Sequence, residues 1–300
     1  MNCKVSVLVP VFNDPTGIEN ILHSLVRQSY PKHLYEIIVI DNGSTDKTYQ
    51  VASKFQQNYP DMIKVLVEDS IQSSYAARNT GYTASKGEII AMIDADCTPI
   101  PEWIENGVYV LHENNADMVG GKVAFQFSSK PGPAEMYDAI SNMQMKQNIE
   151  ERGVAKTANL FVRRTIFESI GPFPPNLKSG GDVNWTGKAT HAGFRLIYSE
   201  KPKVTHPTRQ FKALLMKQHR VGTGQPAIWK KQGYGNFVIF IRILRYFLPQ
   251  RIIIIKSLIN KRGTKEMQKY WLSIWSVSWL CEISANIGRI QAVLGLMNEN

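Results

Sequence analysis

Cysteine is scarce in this chain of 300 residues: Cys3, Cys97 and Cys281 are far apart, odd in number, and in neither CxxC nor Cys/His spacing. That excludes a disulfide framework and structural zinc, and it suits a reducing compartment. Long uncharged apolar runs are missing too. The stretch FVIFIRILRYFL at 237–248 is broken by Arg242 and Arg245, and Pro249 and Arg251 part it from Ile252 to Ile255, so no segment reaches the roughly 20 apolar residues of a membrane-spanning helix. The N-terminus enters a strand pattern at once, without the apolar core and small-residue cleavage site of a signal peptide, and a cytoplasmic location is expected. There is no internal repeat and no low-complexity tract. Acidic residues almost vanish from the last third. Residues 201–300 hold 17 Lys and Arg against 3 Asp and Glu, whereas the whole chain carries +10, so residues 1–200 are net acidic. A basic, aromatic-rich appendage on a mildly acidic globular piece is therefore expected.

The remaining composition, 43% apolar and 20% charged, is that of an ordinary globular protein. Residues 4–11 (KVSVLVPV) read as a strand that ends in a loop at Phe12-Asn13-Asp14-Pro15. Ile18, Leu22, Leu25 and Val26 then recur at helical spacing, with Thr16 as the expected N-cap. A second apolar strand at 36–40 ends in DNGSTD, where Gly43 relieves a turn and Thr45 or Asp46 can cap the next helix. A strand at 63–67, a helix at 75–84 and a strand at 88–93 follow. The last is a short apolar run that stops at two carboxylates, Asp94 and Asp96. Strand and helix alternate with short connections, which predicts a doubly wound α/β sheet of mostly parallel strands flanked by helices. Beyond it the pattern predicts a helix at 103–111, a strand at 118–127, a break at SSKPGP (128–133), a helix from 134 to about 150, strands at 158–162 and 194–198, and helices at 166–170 and from 180–182 onward.

Ligands of open α/β sheets bind at the carboxyl ends of strands. Two carboxylates there can hold a divalent cation, and a cation there can neutralise a diphosphate. Asp41, at the end of the second strand, can accept hydrogen bonds from a base N–H or simply support a capping turn. Arg78 offers a cation or is a solvated helix arginine. His206, in VTHP, reads by itself as an ordinary loop histidine before proline. Asp182, in GGDVNW, is a general base, a helix cap, or both.

Taken in order, PVFND, DNGSTDKT, SYAARNTG, DAD and GGDVNW with a downstream His-Pro resemble the family 2 glycosyltransferases of the GT-A fold, over roughly residues 4 to 210. The resemblance implies a Rossmann-like catalytic domain at 1–210, with a donor half at 1–127 and an acceptor half at 128–210, and a helical appendage at 211–300. It implies that Asp41 contacts the nucleotide base in a pocket lined by Pro10, Val11, Phe12 and Asp14. Arg78 would lie near the base or diphosphate, with Asn79 supporting the loop. Asp94 would contact the ribose or a metal-bound water, Asp96 would ligate Mn²⁺ or Mg²⁺ with His206 as a further ligand, and Asp182 would be the base of an inverting transfer. Where the family usually shows Glu-Asp, this chain has Gly181-Asp182, so one expected carboxylate is missing. Processive members carry Gln-x-x-Arg-Trp where this chain has Gln218 followed by Val221 and Gly222, which implies transfer of one sugar.

The expected activity is transfer from a nucleotide sugar, a UDP-sugar by default, to a glycan or lipid-linked acceptor in cell-surface polysaccharide or glycolipid synthesis. An idle sugar-nucleotide or glycan-binding module is the alternative from another class, against which the intact aspartates speak. A sugar nucleotidyltransferase is a third reading, lowered by the lack of a Gly-rich phosphate loop near the N-terminus. No nucleic-acid partner is expected. The basic tail has two readings: residues 230–280 lie on an anionic membrane surface, at the inner face of the cytoplasmic membrane, or they pack on protein, including a second copy of the chain. The Trp271, Trp275 and Trp279 stripe suits the first, and Ala285, Gly288, Ala292 and Gly295 suit the second.

Overall fold

A computed structural model of the chain describes residues 3–177 and 179–298. Its centre is an eight-stranded sheet in the order β3-β2-β1-β4-β7-β6-β8-β5. Strands β1 (Val5–Val11), β2 (Tyr35–Asp41), β3 (Ile63–Val67) and β4 (Ile89–Ile93) are parallel. All of β1 and β4 and nearly all of β2 are buried, because helices cover both faces. These helices are α1 (Pro15–Leu25), α2 (Thr48–Asn58), α3 (Ser74–Ala84) and α4 (Trp103–Glu113). This half is the doubly wound arrangement expected from the alternation of elements.

The other half is antiparallel. β7 (Asn159–Arg163) runs against β4, β6 (Met118–Gln126) against β7, and the two-residue β5 (Thr98–Pro99) against β8 (Leu196–Pro207). Buried Asn159 ties these strands together. Its Oδ1 accepts from Trp103 Nε1 at 2.9 Å, and its Nδ2 donates to the carbonyls of Lys122 (3.0 Å) and Pro202 (2.9 Å). β8 extends well past the expected 194–198, because Ser199, Glu200, Lys201 and Lys203 give this part of the strand the composition of a loop. The helix expected from 134 to about 150 is two, α5 (Pro133–Ser141) and α6 (Met145–Arg152), separated where Met143 takes φ +49°. Asp14 rather than Thr16 caps α1, accepting from Gly17 N–H at 2.8 Å, and Thr16 lies inside the helix.

The chain divides into two compact units. The first holds residues 1–124, 144–177 and 181–207, including α7 (Arg164–Ile170) and α8 (Gly181–His191). Its core under α8 is aromatic, with Phe167, Phe173 and Trp185 in mutual ring contact and Trp185 Nε1 donating to the Gly171 carbonyl at 2.8 Å. The second holds 125–143, the stretch ending at Gly180, and the chain from 208 on.

In the second unit α5 packs with α9 (Phe211–Lys231), α11 (Ile252–Arg262) and α12 (Trp271–Asn298), while α10 (Asn236–Arg245) packs through Ile239 and Ile243. α9 runs unbroken through Pro226, so His219 is mid-helix, and it bonds Gln291 at 2.8 Å. Small residues set the α9–α12 crossing: a Cβ at Gly288 would stand 2.3 Å from the His219 carbonyl oxygen, and one at Gly222 would strike the Ala285 carbonyl. Gly295 has open space around it and plays no such part. Trp275 and Trp279 are half-buried and donate to the carbonyls of Gln250 (2.7 Å) and Phe247 (3.0 Å) of the same unit. The Lys231 side chain lies outside the described residues. Among the described residues, no helix is long and apolar enough to cross a membrane.

Candidate active site

The site residues inferred from sequence all lie in the first unit, at the carboxyl ends of β1, β2 and β4, on α3, at the start of α8 and at the end of β8. β1 and β2 end level, with Val11 opposite Asp41. The loop after β1 is bound to the loop after β2: Asn13 N–H donates to Ser44 Oγ (2.9 Å), Thr45 N–H to Asn13 Oδ1 (2.8 Å) and Asp14 N–H to Thr48 Oγ1 (2.8 Å). Asn13 and Gly43 take positive φ, +50° and +75°, as so tight a meeting of two loops requires. Pro10 and Val11 are buried beneath this meeting, and Phe12 stands 45% exposed beside it.

Asp41 is 3% exposed. Its Oδ2 accepts from Ser44 N–H at 3.1 Å, and its Oδ1, also buried, has no hydrogen-bond partner. A buried carboxylate oxygen without a donor costs about 1–3 kcal/mol, and such a group is suited to a ligand N–H. Arg78, 2% exposed, spends its charge on Asp94, with Nη2 at 2.6 Å from Oδ1, and its Nη1 donates to the Ser74 carbonyl at 3.2 Å. A charge-assisted bond of this length fixes Asp94 at the strand end, so the arginine aims a carboxylate instead of presenting a bare cation. Asn79, one residue on, holds the loop after α7 through both amide groups: Nδ2 donates to the Phe173 carbonyl (2.8 Å) and Oδ1 accepts from Phe173 N–H (2.9 Å).

Asp96 and His206 meet because β5 pairs with the end of β8, with Thr98 opposite Thr205. Asp96 Oδ2 lies 3.3 Å from His206 Nε2; the aspartate side chain is 34% exposed and the histidine 1%. His206 is thus a buried strand residue, not a loop histidine. Its Nδ1 faces the Pro207 carbonyl oxygen at 2.6 Å. A carbonyl only accepts, so Nδ1 donates to it, and Nε2 is the ring nitrogen turned towards Asp96. A carboxylate oxygen and an imidazole nitrogen at this distance are a donor pair that a divalent cation can use, and the contact at Nδ1 is the usual way a ligating histidine is oriented. No cluster of three or more His, Cys, Asp or Glu suited to a metal occurs among the described residues. A two-ligand site completed by diphosphate oxygens and water is the ordinary arrangement for Mg²⁺-type ions.

Asp182 stands in the first turn of α8, half-buried, where the helix dipole favours its charge. Its Oδ1 accepts from Val183 N–H at 2.9 Å and lies 3.4 Å from the Tyr75 hydroxyl. Tyr75 is 7% exposed, and burial, followed by the charge of Asp182, pushes its phenol up to about 12. Sequence reading passed over Tyr75 and the β5–β8 pairing. The first lies 107 residues from its partner, and the second is too short to show a period.

The model of glycosyl transferase family 2 matches residues 6–171. The chain is 42% identical to glycosyltransferase AglE of Haloferax volcanii over 97% of its own length and 96% of that protein. Among solved structures it resembles a mannosyltransferase of Pyrobaculum calidifontis in complex with GDP-Man and Mn²⁺, with a TM-score of 0.64 at 18% identity, covering 97% of this chain and 88% of that one. It also resembles TarS of Staphylococcus aureus in complex with UDP-GlcNAc, with a TM-score of 0.56 at 18% identity, covering 97% and 92%.

Proposed function

The chain belongs to glycosyl transferase family 2, has the GT-A fold and is a glycosyltransferase, and on that premise we propose that it inverts the anomeric centre of a nucleotide sugar in a divalent-metal-dependent transfer to a glycan or lipid-linked acceptor. The observation that carries the reading is the buried, partnerless Oδ1 of Asp41 beside the loop of Pro10 to Asp14, in the same unit as Asp94, Asp96 and Asp182. Asp41 accepts from a base N–H, which uracil, thymine and guanine all offer; a UDP-sugar is the default donor, and GDP-mannose and dTDP-sugars are the others to test. Asp94, aimed by Arg78, accepts from the ribose or from ordered water.

Asp96 and His206 would hold Mn²⁺ or Mg²⁺, which when bound neutralises charge growing on the departing diphosphate. Asp182 takes the proton of the acceptor hydroxyl as that oxygen bonds to the anomeric carbon, and the bond from carbon to the diphosphate oxygen breaks, its electron pair leaving with the nucleotide. We place the catalytic domain at 1–210 and the appendage at 211–300, non-processive, serving surface polysaccharide or glycolipid synthesis. The exposed apolar and basic residues of α10 and α11 support attachment to an anionic membrane face.

A thermal-shift panel of UDP-glucose, UDP-GlcNAc and GDP-mannose, each with and without Mn²⁺, tests the donor reading. A metal-dependent rise in Tm with one donor is expected. Asp96→Ala should abolish that metal dependence and the release of nucleoside diphosphate. Full activity in this variant or in excess chelator would remove the metal from the reaction.

A further inference from the structure

Position 181 carries no side chain, yet the space beside it is filled. A Cβ built on Gly181 would stand 2.7 Å from Cε2 of Tyr75, closer than packed carbons approach, so the Tyr75 ring occupies the volume that any larger residue at 181 would need. The ring cannot give way cheaply. It is 7% exposed, lies 6.1 Å between centroids from Phe173, and stands on a helix turn tied to the loop before α8 by Asn79 and by Ser73 Oγ, which donates to the Leu177 carbonyl at 3.3 Å.

The ring also delivers a hydroxyl. It reaches Asp182 Oδ1 at 3.4 Å, on the same oxygen that accepts from Val183 N–H, and no group other than these two donates to that carboxylate among the described residues. Tyr75 and Arg78 are three residues apart on α3, hence on one face of the helix. One turn of α3 therefore holds Asp94 through Arg78 and meets Asp182 through Tyr75.

We propose that Tyr75 is the positioning residue of the base: its ring replaces the side chain absent at Gly181, and its hydroxyl, with Val183 N–H, pins Oδ1 of Asp182 so that Oδ2 is the oxygen that takes the acceptor proton. The raised phenol supports this, since burial and the charge of Asp182 keep the hydroxyl protonated, and so a donor, at neutral pH. The inference rests on Asp182 being the base of the proposed transfer, but its packing half does not.

The packing half is tested by thermal unfolding of the full chain. Gly181 does not take positive φ, and alanine lowers the entropy of the unfolded chain, so Gly181→Ala should raise Tm if the space is open and lower it if the ring is there. We expect it to lower Tm in the wild type and to raise it in a Tyr75→Ala background. A rise in both backgrounds overturns the proposal.

The positioning half is tested by Tyr75→Phe, which keeps the ring. Its Tm and its KM for the donor picked out by the panel should match the wild type, while kcat for diphosphate release falls roughly tenfold, the loss of one oriented hydrogen bond. Unchanged kcat, or a KM that rises in step, overturns it. A crystal structure of Tyr75→Phe reads the same point without turnover: the Asp182 carboxylate should rotate away from its wild-type setting, and an unmoved carboxylate refutes the role. Failure of the wild type to release diphosphate from any donor would instead overturn the functional reading, and the thermal cycle and that structure would still decide this one.

Discussion

Each carboxylate of the site is defined by what already holds it, and that decides what is left for a ligand. Asp94 is committed to Arg78, Asp41 has one buried oxygen with no partner, and Asp182 has Oδ1 engaged twice. Asp41→Asn should therefore leave folding nearly intact while weakening nucleotide binding. The amide oxygen can keep the Ser44 bond, but its NH₂ then opposes the base N–H, and a buried donor facing a donor costs about 1–3 kcal/mol, roughly five- to 150-fold in Kd. Isothermal titration with the free nucleoside diphosphate measures it, and an unchanged Kd would take Asp41 out of the pocket. Asp182→Asn should bind donor as the wild type does and lose transfer by about 10²–10⁴-fold; retained transfer removes it from the mechanism. Tyr75 and Tyr35 are both raised by burial to about 12. A folded pKa above the unfolded value of about 10 means stability is whole below pH 10 and is lost as pH climbs towards 12, by about 2–3 kcal/mol per tyrosine. Urea midpoints that fall steeply above pH 10 in the wild type and less steeply in Tyr75→Phe would bear this out, and equal slopes would not.

Elements differ in how much of themselves they write into sequence. β1, β2 and β4 are legible because a strand buried on both faces must be a short apolar run, and Asp41 and Asp94 are legible because the run stops at them. Gly43 is legible because its turn needs positive φ. β5 is not: two residues have no period, yet their pairing with β8 is what sets His206 against Asp96, so the histidine reads as a loop residue until the register is known. The long, polar β8 and the run of α9 through Pro226 are hidden for the opposite reason, since tertiary packing overrides local composition that points to a loop or a stop. The Trp stripe is periodic and helical as expected, but periodicity alone does not show what each indole meets, and the carbonyls of Gln250 and Phe247 take the N–H groups of Trp275 and Trp279. The α9–α12 crossing gives a prediction at this scale. Gly288→Val drives a branched side chain into the His219 backbone, which cannot rotate aside, and should lower stability by about 2–3 kcal/mol, read from urea unfolding. Gly295→Val, with open space around it, is the control and should change little.

At the scale of the molecule the charge asymmetry and the exposed apolar residues coincide in sequence. Within the basic last third, α10, α11 and the connection between them bury Ile239, Ile243, Ile255 and Ile259, and expose Phe237 (75%), Phe240 (56%), Leu248 (68%) and Ile253 (73%) among Arg245, Arg251, Lys256 and Lys261. Exposed aromatics and isoleucines in this number are unusual for a surface that meets only water. The interspersed cations set what should cover them: each Lys or Arg close to an anionic leaflet contributes about 1 kcal/mol, and each inserted apolar side chain adds to it in proportion to the area it buries. Electrostatics brings the segment to the surface and insertion holds it there, so the two contributions should separate under salt. In vesicle co-sedimentation, the full chain should bind vesicles containing phosphatidylserine well and neutral phosphatidylcholine poorly, and rising ionic strength should weaken the first. Phe237→Glu with Ile253→Glu touches neither Ile239 nor Ile243, should leave Tm unchanged, and should lower binding at every salt concentration. Arg245→Gln with Arg251→Gln should lower it chiefly at low salt. Binding indifferent to vesicle charge, to salt and to both pairs of substitutions would return this surface to the alternative first posed by the sequence, a face that packs on protein.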